Sequence, residues 1–186
     1  MISILDRNDK LNEHKHSIDI TYPRTINIIF GNYPYPDAIH NLIIEIKNNI
    51  DKDLENYTNV KGGMTSWTHF IDNPLFDNFL NYFINKHQSV NSDLFQHFFS
   101  KYSIISAWGN EIKKGDRLEY HDHPIYHGIL YLTKGCDLIL PELNCKITPQ
   151  PGDYYFFPPC ISHGFNEYEG DTNRYSLVFN VTDNKK

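Results

Sequence analysis

The sequence predicts a mainly β fold, an antiparallel sandwich or barrel with helices packed outside it, and three observations carry that expectation. From Tyr102 onward the chain is a series of short β-branched and aromatic runs split by Gly, Pro, Asn and Asp. Helical periodicity is confined to the N-terminal half. The 186 residues include 13 Tyr, 12 Phe and 2 Trp, an aromatic load that suits wide, packed sheet faces.

Taken in order, residues 1–24 are polar and expected to be loosely held, while residues 25–30 (TINIIF) are Ile-rich and short enough for a buried strand. In residues 36–50, Ile39, Leu42, Ile43, Ile46 and Ile50 recur at three- and four-residue intervals, which predicts a helix with one buried stripe. Pro36 sits where a first helical residue tolerates proline. A second helix is signalled by Asn73 as N-cap, Pro74 behind it, and Leu75, Phe76, Phe79, Leu80 and Phe83 on one side, ending near His87. Residues 92–100 are a candidate third, short helix carrying Leu94, Phe95, Phe98 and Phe99. Strands are then expected over 102–108, 126–133, 137–140, 146–148, 153–157 and 174–181.

The length favours one domain, with residues 1–101 as strand and helical support and residues 102–182 as the β core. Residues 61–67 (KGGMTSW) are a candidate lid, since loops on a rigid scaffold often take that task. Seventeen Lys plus Arg against 23 Asp plus Glu give a net charge of -6, which disfavours nucleic acid as the partner. The chain holds no apolar run of membrane-spanning length and no signal-like leader, so a soluble, cytoplasmic protein with no membrane partner is expected. Cys136, Cys145 and Cys160 are odd in number and lack CxxC spacing, which predicts buried thiols instead of a disulfide framework or zinc ribbon.

Ten histidines are present, three of them within His121, Asp122, His123, Pro124, Ile125, Tyr126, His127. In extended backbone, side chains two apart share a face, so His121 and His123 project together while Asp122 points away. His163 follows the turn Phe157, Pro158, Pro159, Cys160, and Arg174 opens the last strand with Ser176 on the same face. Neutral imidazole is a favoured ligand for iron, zinc, copper and nickel, and three ligands on one face leave open positions for water, oxygen or substrate. His127 is a fourth ligand, a partner orienting the others, or the polar end of a strand. A guanidinium beside a hydroxyl suits a small dicarboxylate, gripped through a fork of donors. His40, His69, His87 and His97 read as ordinary surface or hydrogen-bonded residues.

With those residues in place, the C-terminal half resembles the Fe(II)/2-oxoglutarate-dependent oxygenases, in particular those common in bacteriophages and bacteria that are related to the prolyl hydroxylases. The resemblance covers residues 104–181 through IISAWGNEIKKGDRLEYHDHP, YHGILYLT, ITPQPGDYYFFPPCISHGF and NRYSLVFN, in that order. It implies a double-stranded β-helix of the jelly-roll or cupin kind, with Fe(II) held by His121, a second ligand and His163. It also implies 2-oxoglutarate as co-substrate, its far carboxylate on Arg174 and Ser176. Tyr131 and Asn110 are further candidate co-substrate contacts, and Trp108 and Tyr126 candidate pocket walls. The implied reaction consumes molecular oxygen, converts 2-oxoglutarate to succinate and carbon dioxide, and hydroxylates a small-molecule or peptide substrate, with a peptidyl (prolyl) residue as the leading expectation.

The chain departs from the family at the second ligand, where His123 stands in place of the usual Asp or Glu. The second ligand is then His123, Asp122 swung in by a local irregularity, or a water; the two-residue period favours His123. A competing resemblance is to the cupins, through Gly115, His121, His123 and His127 and then Gly152, Pro158 and His163. That reading makes His127 a ligand and gives Arg174 no co-substrate, as in a metalloenzyme that ignores 2-oxoglutarate. A third reading is a non-catalytic jelly-roll binding module.

Overall fold

Alternation along the longest strands decides how the layers stack. A computed structural model describes residues 2–5, 25–54, 58–88, 102–135, 137–159 and 161–183. The elements run β1 (Ile2–Leu5), β2 (Thr25–Asn32), α1 (Pro36–Asn48), β3 (Val60–Lys61), β4 (Gly63–Met64), α2 (Pro74–Gln88), β5 (Tyr102–Ile112), β6 (Arg117–His121), β7 (Tyr126–Tyr131), β8 (Leu138–Leu140), β9 (Cys145–Ile147), β10 (Asp153–Phe157), β11 (His163–Phe165) and β12 (Arg174–Asp183). A seven-stranded sheet has the order β1-β2-β10-β7-β12-β5-β4, and a five-stranded sheet the order β3-β6-β11-β8-β9. Neighbouring strands are antiparallel throughout. Among the described residues no strand pair joins the two sheets, so the architecture seen is a two-sheet sandwich, and closure into a barrel is not shown.

On β12, Tyr175, Leu177, Phe179 and Val181 face the helices and form one core with Leu42 and Ile46 of α1 and Phe76, Phe79 and Phe83 of α2. Val178, between them, faces the other way, into a second core with Trp108, Ile129, Tyr131, Leu138 and Leu140 that fills the space between the sheets. The period of two thus sends alternate residues into two different cores. Both helices begin as their sequences dictate: Pro36 and Pro74 take the first helical positions, and Asn73 Oδ1 accepts the backbone N–H of Leu75 at 2.9 Å. Gly109 lets α1 lie directly on β5, since a Cβ there would stand 2.3 Å from Ile46 Cγ1. Among the described residues no helix is long and apolar enough to cross a membrane.

Several strands differ from the sequence expectation. β6 and β11, each carrying a histidine of interest, were not expected: β6 (RLEYH) lies half open to solvent, and β11 is only three residues long. β5 continues past 108 to Ile112 because Gly109 and Asn110, which read as a break, serve helix contact and pocket respectively. Three residues of the candidate lid belong to edge strands, Lys61 paired to β6 beside Val60, and Gly63 and Met64 paired to β5. A further strand, β1, pairs with β2 within the segment read as loosely held. The candidate helix over 92–100 lies outside the described residues, as do Cys136 and Cys160; Cys145 is a half-buried free thiol.

Candidate functional site

The inward rows of three adjacent strands make the floor of a pocket between the sheets. β12 supplies Arg174, Ser176 and Val178, β5 supplies Trp108, Asn110 and Ile112, and β7 supplies His127, Ile129 and Tyr131. The opposite sheet contributes Val60, Leu118, His121, His163 and Phe165, and His123 reaches in from the turn after β6. The pocket spans about 450 Å³ of empty space, counted together with its opening to solvent.

At one place in this pocket three imidazoles converge. His121 ends β6 directly opposite His163, which begins β11, and His123 follows two residues on. One ligand nitrogen from each of the three lies within 4.8 Å of the others. His121 Nδ1 is 2.7 Å from the Glu119 carbonyl and His163 Nδ1 is 3.2 Å from that of Ile161. A carbonyl only accepts, so each Nδ1 must donate, which leaves both Nε2 atoms as lone-pair donors to a metal. His123 Nε2 is buried and meets no hydrogen-bond partner among the described residues. Burial, with the charge of His121 second, lowers the His123 pKa to about 4, and the same two causes lower that of His163 to about 3. An orphaned buried nitrogen and two more with fixed tautomers fit a divalent transition metal, which needs deprotonated ligands.

His127 is buried on β7, with Nδ1 2.9 Å from Asn180 Oδ1 and its ring stacked on His123 at 4.0 Å and 10°. Desolvation holds it neutral, its pKa well below the ordinary value. Arg174, 2% exposed, lies with its guanidinium 4.8 Å from the Tyr131 ring centroid and 4.7 Å from that of Phe165. Gly135 closes a third side: a Cβ there would stand 2.4 Å from Arg174 Cδ, so only glycine admits the arginine stem in this seat. Trp108 Nε1 donates to Asn110 Oδ1 at 3.1 Å, which leaves the amide N–H groups as what Asn110 offers the pocket.

The structure therefore brings together His121, His123, His163, His127, Arg174, Ser176, Tyr131, Asn110 and Trp108. Asp122 is exposed and outside the converging set. Tyr126, expected as a pocket wall, lies on the helix side of β7 with its ring stacked on Phe156 at 5.6 Å, because it neighbours the inward-facing His127. Phe165 was missed, although it stands two residues after His163 in HGF and so shares its face. Outside the pocket, His69 pairs with Glu45 at 2.9 Å and His87 with the Tyr154 hydroxyl at 2.7 Å.

The buried neutral imidazoles give the metal-free protein a pH dependence. His163 has a folded pKa of about 3 against 6.5 when unfolded, so below pH 6.5 the unfolded chain binds the extra proton. Stability is then expected to fall as pH drops from 7 to 5, by about 1 kcal/mol per pH unit for His163 below 6.5, with His123 and His127 acting in the same direction. Urea midpoints at pH 7 and pH 5 check this; an unchanged midpoint contradicts it.

No family model and no curated protein matches this sequence. Among solved structures the chain is similar to the viral collagen prolyl hydroxylase of Paramecium bursaria Chlorella virus-1 in complex with 2-oxoglutarate, with TM-score 0.62 and 15% identity over 84% of this chain and 94% of that one. It is similar to a prolyl-4-hydroxylase of Pseudomonas putida, with TM-score 0.61 and 14% identity over 85% and 93% of the two chains. It is also similar to HygX of Streptomyces hygroscopicus with nickel and 2-oxoglutarate bound, with TM-score 0.60 and 8% identity over 85% and 83%. At these identities the likeness is one of fold alone, shared with two prolyl hydroxylases and with HygX.

Proposed function

We propose that this protein is an Fe(II)- and 2-oxoglutarate-dependent oxygenase that hydroxylates an aliphatic C–H bond of a small molecule or a peptidyl residue. The observation that carries the reading is the presence, in one pocket, of three converging imidazoles and a buried guanidinium beside a hydroxyl. The fold likeness to prolyl hydroxylases and HygX supports it.

His121, His123 and His163 hold the metal, which, when bound, supplies the oxygen-activating chemistry. Three neutral ligands leave the centre more positive than a set with a carboxylate would, which favours a dianionic co-substrate. Arg174 takes the far carboxylate of 2-oxoglutarate through its fork of N–H groups, and the Ser176 hydroxyl donates alongside. Tyr131 and Phe165 pin the guanidinium between two rings, so little side-chain freedom is lost on binding. Asn110, oriented by Trp108, offers its amide N–H groups to the co-substrate. The apolar walls from Ile112, Ile129 and Val178 exclude water and strengthen each charged contact.

An anaerobic Fe(II) titration tests the reading. Adding 2-oxoglutarate to the Fe(II)-loaded protein is expected to produce the visible charge-transfer band of the chelate. Metal binding with no band, and no 2-oxoglutarate affinity by calorimetry, would favour the cupin-type alternative, in which Arg174 is dispensable.

A further inference from the structure

The three ring nitrogens of the proposed centre are not held by the same means. His121 and His163 are each fixed by a hydrogen bond from Nδ1 to a backbone carbonyl, at 2.7 and 3.2 Å. For His123, which replaces the family's carboxylate and stands in a turn between β6 and β7, no such bond is seen among the described residues, and its Nε2 is without a partner. The ring nearest to His123 is that of His127, nearly parallel at 10° and 4.0 Å between centroids; the other two imidazoles lie farther off, His121 at 4.9 Å and His163 at 5.3 Å. His127 in turn is immobilised: it lies on a central strand, is 4% exposed, and has Nδ1 tied to Asn180 Oδ1 at 2.9 Å on the adjacent strand. Its ring also lies 4.9 Å from that of His163 at 28°.

We infer that His127 is a positioning residue for the metal centre: a ring face, anchored by Asn180, against which His123 is stacked into ligating orientation in place of the hydrogen bond that holds the other two histidines. An amide oxygen only accepts, so the Nδ1 of His127 carries the proton and the Asn180 contact fixes the ring plane. A stacked platform constrains the plane of a neighbouring imidazole while leaving both of its nitrogens available. It suits a ligand whose ring makes no hydrogen bond among the described residues. The inference rests on the three-histidine centre proposed above, and it separates the roles left open for His127: what counts is its ring face, and its nitrogen is not a ligand.

The test uses Co(II) alone, with affinity and d–d absorption as readouts, so that oxygenase activity is not needed. His127→Ala is expected to weaken Co(II) binding by about 10- to 100-fold, the usual range for losing a residue that orients a ligand. His127→Phe keeps a ring face but has no nitrogen; it is expected to bind within about threefold of the wild type with an unchanged d–d spectrum, well inside the loss seen for a true orienting or ligating group. Asn180→Ala, which frees the ring while keeping it, is expected to fall between the two. The inference is overturned if His127→Phe loses as much affinity as His127→Ala, or shifts the spectrum, because the nitrogen is then a ligand. It is equally overturned if His127→Ala binds like the wild type. Should His127→Ala not fold, the His127→Phe and Asn180→Ala spectra decide alone. The underlying centre is tested separately by His163→Ala: if that variant binds Co(II) as tightly as the wild type, the centre itself is wrong, whatever His127 does.

Discussion

Arg174→Ala is expected to lose 2-oxoglutarate binding by about 100-fold or more while retaining the metal. The guanidinium is nearly inaccessible, wedged between the rings of Tyr131 and Phe165 and confined by Gly135. A carboxylate bound there is desolvated, and removing one partner of such a pair costs about 2–5 kcal/mol. Arg174→Lys keeps the charge but not the planar fork, so an intermediate loss is expected. Calorimetry of 2-oxoglutarate into the metal-loaded protein reads the affinity, and a parallel metal titration shows whether the His121, His123, His163 cluster is intact. Retained 2-oxoglutarate affinity in Arg174→Ala would remove Arg174 as the anchor of the far carboxylate and place that contact on other residues of the pocket.

The second large effect concerns stability. Phe79 is fully buried where α2 meets the seven-stranded sheet, with ring contacts to Tyr33, Phe76, Phe83, Tyr154 and Phe179. Phe79→Ala removes a ring from a cluster whose neighbours are themselves rigid rings, so the cavity collapses little. The expected loss is about 3–5 kcal/mol, a large share of the about 5–15 kcal/mol that holds a domain together. Because the pocket floor is the other face of the same strands, this variant is expected to bind metal poorly well below its melting temperature. Urea denaturation measures the first effect; a loss under about 1 kcal/mol, typical of surface sites, would mean that the aromatic cluster is not the main support of the sheet.

Much of the site was legible because it sits on strands, where a period of two maps sequence directly onto faces. Arg174, Ser176 and Val178 on β12, and Trp108 and Asn110 on β5, line one pocket for that reason. The same rule separates Tyr126 from His127, so the expected pocket wall faces the helices instead, stacked on Phe156. Where strands are short or half exposed the rule had too little to work on, and β6 and β11 went unseen although His121 stood out by histidine density and His163 by its place after the expected turn at residues 157–160. Sandwich and barrel were both compatible with the same alternating runs, since alternation specifies which face is buried and not what buries it.

What the sequence determined by itself is a set of local facts: two helices opened by Pro36 and Pro74, an apolar stripe on each, and side chains that must share a face because they stand two apart. What only the tertiary structure decided is which faces meet. His163 comes to stand opposite His121 through a register between β6 and β11, strands more than 40 residues apart in the chain. Arg174 acquires its seat from Tyr131, Gly135 and Phe165 on other segments. His123, and not Asp122, joins the cluster, with His127 and Asn180 behind it. The reason is physical: covalent geometry and the hydrophobic pattern set the direction of each side chain within its own element. The pairing of distant elements is chosen by the sum of their packing and hydrogen bonds, which no single stretch of the chain contains.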